Sequence, residues 1–135
     1  MVSQLAEKED SVLCTDVRDK LFGPMEFSRR DLGALNIMRG RDNGLADYNT
    51  IRSYYKLPKK TNWNDINPKL FAEKPHILST LIAAYANRID NIDLYVGGML
   101  ESYGNPGELF AAVILEQFTR IRDADRFWFE NDDNG

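Results

Sequence analysis

The chain has 135 residues, a formal net charge of −4, 43% hydrophobic and 28% charged residues, one cysteine and one histidine. That is enough for one modest domain of ordinary globular composition, and its acidic balance argues against an electrostatic grip on nucleic acid. A lone Cys14 and a lone His76 give no basis for a Cys/His zinc site or for a Cys–His nucleophile, and no apolar run reaches the roughly 18 residues of a membrane span.

Residues 1–10 are polar, and the N-terminus lacks the basic-then-apolar layout of a secretory signal. From Ser11 to Phe27 the pattern predicts a short helix and then a loop. Val12, Leu13, Val17 and Leu21 recur at helical spacing, Asp16, Arg18, Asp19 and Lys20 face solvent, and Gly23-Pro24 ends the run. Ser28 is a suitable N-cap for the next helix, whose apolar stripe is Leu32, Ala34, Leu35, Ile37 and Met38. Gly44 suits a left-handed turn just past its end.

Asp47 is expected to cap a second helix with Tyr48, Ile51, Tyr54 and Tyr55 inward, stopped by Leu57-Pro58. Lys56, Lys59 and Lys60 follow, either as cations at a helix C-terminus or as a small binding patch. Asn67-Pro68 reads as an N-cap and first-turn proline. From Pro75 a helix is expected with Ile77, Leu78, Leu81, Ile82, Tyr85 and Ile89 inward. His76 lies in its first turn, a position more typical of a helix-end residue than of a metal ligand.

Residues 92–100 are apolar, and periodicity does not separate strand from helix there. Gly97-Gly98 suggests close approach to another backbone. Asn105, Pro106 and Glu108 suggest a helix start. One face then carries Leu109, Phe110, Val113, Ile114, Gln117, Phe118 and Ile121, with Glu116 and Arg120 paired four apart. The segment from Arg122 to Phe129 mixes ions and rings, as expected of a salt-bridge knot under an aromatic cap. Four to six helices and little strand make the fold class mainly α.

P-loop, dinucleotide-binding and nucleophile-elbow motifs are missing from the sequence, as are N-glycosylation acceptors. Asp123 and Asp125 stand beside arginines, which favours their ionised form over a general-acid role. Asn36 and Arg39, three residues apart on one helix face, are the unusual pair. An amide and a guanidinium brought into a low-dielectric space need partners. Those could be protein carboxylates and carbonyls, or an anionic ligand.

The stretch DLGALNIMRGRDNGLADYNTIR resembles the signature of the animal haem peroxidases, D-L-x-A-L-N-x-x-R-x-R-D-H-G-x-x-x-Y-N. GGMLES and RIRDADRFWFEN match two further segments of that family, in the same order. Asn43 in place of the family's histidine, the W-x-D-I-N-P loop and G-G-M-L-E-S are most similar to the peroxidase-like domain of the dual oxidases. The resemblance implies a mainly helical haem b domain that uses hydrogen peroxide to oxidise small donor substrates. It makes residues 1–135 the C-terminal part of such a domain, with 1–27 leading in and 28–131 bearing the motifs.

Carried over by position, Asn36 matches the asparagine that hydrogen-bonds the proximal histidine, and Arg39 the arginine that pairs with a haem propionate. The family's distal His and Arg, its calcium loop and its proximal His all precede this signature. The resemblance therefore implies that catalytic residues, and calcium where present, belong upstream, and that the isolated chain is inactive. It also implies an extracellular or lumenal location on a membrane protein and a packing partner in the rest of the domain. The alternative is a peroxidase-like module that has lost its chemistry and serves in interaction or structure.

Overall fold

The computed structural model describes residues 5, 8, 10–23 and 30–130. Six α-helices are found among them: α1 (Leu32–Asp42), α2 (Tyr48–Tyr54), α3 (Pro68–Glu73), α4 (Pro75–Ala84), α5 (Leu94–Glu101) and α6 (Glu108–Ala124). A π-helical turn, Asp16–Lys20, precedes them, and short 3₁₀ turns lie at Trp63–Asp65 and Ile89–Asn91. The described residues contain no strand, only an isolated antiparallel bridge between Asp47 and Asp93. The mainly α class expected from the sequence is what forms.

The first three helices start for local reasons. The Asp31 carboxylate accepts from Ala34 N at 3.1 Å, so Asp31 and not Ser28 caps α1. Ser28 itself lies outside the described residues. Asp47 accepts from Thr50 N at 2.9 Å to start α2, and Asn67 accepts from Leu70 N at 3.0 Å to start α3, with Pro68 in the first turn. Helix α2 stops because Lys56 adopts a left-handed conformation, φ 59°. That turns Leu57 N back onto the Arg52 carbonyl at 2.9 Å.

The start of α6 differs from expectation. Asn105 makes no cap, and the helix begins at Glu108 behind Gly107. The capping carboxylate comes from the preceding helix: Glu101 Oε2 accepts from Leu109 N at 2.8 Å. Gly107 is buried against Glu101, and a Cβ there would run into that side chain.

The core consists of Tyr48, Ile66, Leu70, Phe71, Leu81, Ile92 and Leu109. Helix α2 packs on α5, α3 on α4, α5 on α6, and α1 on α5. Residues 92–100 resolve as the start and body of helix α5. Gly97 and Gly98 are both buried, and the close approach is to rings and not to backbone. A Cβ on Gly97 would overlap the Tyr48 ring, and one on Gly98 the Phe110 ring.

Inward assignments fail on three helices. Met38 of the α1 stripe is 59% exposed. Tyr54 is 69% exposed, because α2 turns Tyr48, Asn49 and Arg52 inward instead. On α6 the first two turns pack, Leu109 and Val113 on the core and Phe110 against Gly98 and the Tyr95 ring. Beyond them Ile114, Gln117, Phe118 and Ile121 are exposed, since no described element lies over that stretch. Phe127 and Phe129 are likewise exposed and do not form an aromatic cap. Arg122 pairs with Asp123 at 2.7 Å, and Arg126 lies over the Phe127 ring. The early segment is shorter than expected, a single turn whose pairs, Arg18–Asp19 at 2.7 Å and Lys20–Asp16 at 2.8 Å, face solvent.

Candidate functional site

Helix α1 projects Asn36 and Arg39 from one side, as spacing of three dictates. Both line an open groove of about 490 Å³ together with Gly40, Asn43 and Leu45. Asn36 is half-buried and Arg39 is exposed. No described residue pairs with the Arg39 guanidinium or the Asn36 carboxamide. The structure thus brings the two predicted site residues together and leaves their polar groups available to something outside the described chain. Asn43 closes the end of the helix, its Nδ2 donating to the Arg39 carbonyl at 2.8 Å.

Ile37, next to Asn36, points into a second groove that is almost entirely apolar. This groove has a volume of about 430 Å³ and is lined by Leu81, Val96, Leu100, Tyr85 and His76 among others. His76 is exposed at the start of α4 and does not share a groove with Asn36 and Arg39. Among the described residues no group of three or more His, Cys, Asp or Glu could hold a metal ion.

Sequence reasoning missed the polar groups that hold the site's scaffold. Arg52 is fully buried. Its guanidinium donates to Glu101 Oε1, to Glu108 Oε2 at 2.6 Å, and through Nε to the Pro58 carbonyl at 2.7 Å. The Tyr48 hydroxyl donates to the same Glu101 oxygen. Burial, then the bond to Glu101, pushes the Tyr48 phenol well above its ordinary range. The Arg52 guanidinium holds the Glu108 carboxyl below the usual carboxylate range. Asn49 is buried nearby. It accepts from Lys60 N at 2.9 Å and donates to the Lys60 carbonyl at 2.9 Å and to Asp90 at 3.1 Å.

A second cluster lies at the end of α1. Arg41 grips Asp93 through Nε at 2.9 Å and Nη2 at 2.7 Å. The Tyr85 hydroxyl donates to the same carboxylate at 2.6 Å. Arg41 keeps the Asp93 carboxyl below its ordinary range, while burial and the bond to Asp93 push the Tyr85 phenol up to about 12. A signal for both clusters existed in the sequence, in arginines placed among apolar helix positions and in Asp-Tyr-Asn after a turn. What it lacked was their partners, which come from some 50 residues away.

The signature stretch, the paired glycines and the acidic partner thus form one interlocked scaffold that presents Asn36 and Arg39, in a mainly helical fold. The chain belongs to the animal haem peroxidase family, whose pattern, described as "Animal haem peroxidase", matches residues 1–135. Within that family it is similar to the dual oxidases along its whole length. It is 68% identical to a dual oxidase of Drosophila melanogaster and 50% identical to dual oxidase 1 of Caenorhabditis elegans. It is 47% identical to human dual oxidase 1. Each match covers the whole chain and 9% of the relative. Among solved structures it resembles peroxidase A from Dictyostelium discoideum, with a TM-score of 0.76 and 37% identity over 89% of this chain and 23% of that one.

Proposed function

We propose that this chain is part of a haem peroxidase domain of dual-oxidase type, using hydrogen peroxide to oxidise small donor substrates. The observation that carries the reading is that Asn36 and Arg39 share one open groove and have no side-chain partner among the described residues. The residues fit the group. An unpaired guanidinium suits a propionate carboxylate, as a charge-assisted and forked bond. A carboxamide oxygen suits the N–H of an axial imidazole. Accepting that proton would fix the ring's orientation and make it a stronger donor to iron. Haem, when bound, supplies the peroxide-driven oxidation. Residues of this chain would hold and orient it.

The axial and distal histidines are assigned to parts of the protein beyond these residues, consistent with a chain that spans 9% of its curated relatives. His76 is not assigned to iron, since it lines a different groove from Asn36. Calcium, if used, belongs to those other parts as well. The domain is assigned to the extracellular or lumenal side of a membrane protein. Among the described residues no helix is long and apolar enough to cross a membrane.

The test is haem binding by the full-length protein. Wild type is expected to show a histidine-ligated Soret spectrum. Asn36→Ala should weaken the iron–histidine bond, read as a lower stretching frequency and a shifted potential. Arg39→Ala should loosen haem retention by about 10-fold or more. Unchanged haem affinity and potential in both variants would remove the assignment.

A further inference from the structure

Helix α1 carries the proposed haem-facing pair, yet little apolar packing holds it. Gly33 is its one buried residue, while Leu32, Leu35 and Ile37 are half-buried. Hydrophobic contact is non-directional, so such a helix is poorly fixed against rolling about its own axis. Among the described residues the α1 side chain that hydrogen-bonds another element is Arg41, through its two parallel bonds to Asp93. A forked pair fixes orientation as well as distance. Arg41 stands two positions past Arg39, about 200° around the helix. Clamping one arginine to the protein therefore sets the direction of the other.

Asp93 is itself held from several sides. Tyr85, at the end of α4, donates to its Oδ2 at 2.6 Å. Its backbone pairs with that of Asp47 in the isolated bridge, so the residue is tied to the start of α2. It also occupies the N-cap position of α5, where an aspartate ordinarily accepts a helix N–H. Its side chain makes no such bond. The carboxylate is directed away from its local role and onto Arg41 and Tyr85.

We propose that Asp93 is a positioning residue for the haem group: acting through Arg41 and held by Tyr85, it sets the roll of α1 that presents Asn36 and Arg39 together. The functional half of this proposal rests on the haem reading above. The structural half, that Asp93 fixes α1, does not.

The experiment compares full-length wild type with Asp93→Asn, Tyr85→Phe and the charge swap Arg41→Asp with Asp93→Arg. Two quantities are read: amide hydrogen exchange along α1, with α2 as internal reference, and haem affinity with midpoint potential. Asp93→Asn should speed α1 exchange about tenfold with α2 unchanged, and weaken haem affinity about tenfold. Tyr85→Phe should act in the same direction more weakly, and the swap, which keeps the ion pair but loses the bond from Tyr85, should restore both quantities in part.

Unchanged α1 exchange in Asp93→Asn overturns the clamp. Faster exchange with unchanged haem affinity and potential overturns the positioning role. Should wild type bind no haem, the haem reading falls and takes the positioning role with it, and α1 exchange still decides the clamp. Should Asp93→Asn fail to fold, Tyr85→Phe decides on the same two criteria.

Discussion

Arg52 and Glu101, 49 residues apart, form an ion pair from which water is excluded on both sides, with side-chain exposures of 0% and 4%. A buried pair of this kind adds little over an apolar core of equal volume, but losing one partner strands the other charge. Arg52→Met is therefore expected to destabilise the fold by about 3–5 kcal/mol, read as a lower urea midpoint. The double variant Arg52→Met with Glu101→Gln should recover part of that loss. A single variant within about 0.5 kcal/mol of wild type would mean that the pair is not a structural support.

The paired glycines are a packing requirement. Gly98 lies beneath the Phe110 ring, and any Cβ must displace it. Overpacking of this kind costs about 1–3 kcal/mol. Gly98→Ala should lower the thermal midpoint, and Phe110→Leu in the same chain should restore part of it by making room. Equal midpoints for Gly98→Ala and wild type would show that the ring moves aside freely.

Asn49 closes a two-way bond with the main chain of Lys60, as donor and as acceptor, while 2% exposed. Asn49→Leu keeps the volume and removes these two bonds and the one to Asp90, leaving the half-buried main-chain groups of Lys60 without that partner. The expected cost is about 1–3 kcal/mol, seen in chemical denaturation. Faster amide exchange at Lys60 should accompany it.

Much of this architecture was legible in the sequence. Asp47 and Asn67-Pro68 predicted their caps because capping is decided within four residues. The mainly α class followed from period alone. Tyr54 and the outer face of α6 were misassigned for one reason. Periodicity reports which residues could share a face, and only the neighbouring elements decide whether that face is covered. Asn36 and Arg39 stood out by spacing. Asp93 and Glu101 gave no such signal, because an acid's partner 50 residues away leaves no local pattern.

The 135-residue chain mixed with haem alone is expected to show no stable histidine-ligated Soret spectrum. Its one histidine, His76, is exposed at the start of α4 and lines a groove other than that of Asn36 and Arg39. A five-coordinate high-spin spectrum from this chain, abolished by His76→Ala, would reassign the axial ligand to that residue.

Acid should act through the carboxyls of both clusters. Asp93 is held below its ordinary 3.8 first by the bond from Arg41, and Glu108 below its ordinary 4.5 first by the bond from Arg52. A carboxyl whose folded pKa is depressed contributes stability above its unfolded pKa, and loses it as pH falls through the folded value. Stability should therefore be level above about pH 5 and decline from there downward. In Asp93→Asn the protein starts less stable and its acid limb is shallower, because one of the protons taken up on unfolding is gone. Tyr85 has the opposite sign of dependence. Its phenol, raised to about 12, contributes fully below its unfolded value near 10 and is lost as pH rises towards 12. Tyr85→Phe should make that alkaline limb shallower, with Tyr48 still contributing to it, and should ease the acid limb slightly, because the lost hydroxyl also bonds the Asp93 carboxylate. Urea titrations at a series of pH values measure both limbs, and an acid limb of equal slope in wild type and Asp93→Asn would show that Asp93 is not held in its ionised form by the fold.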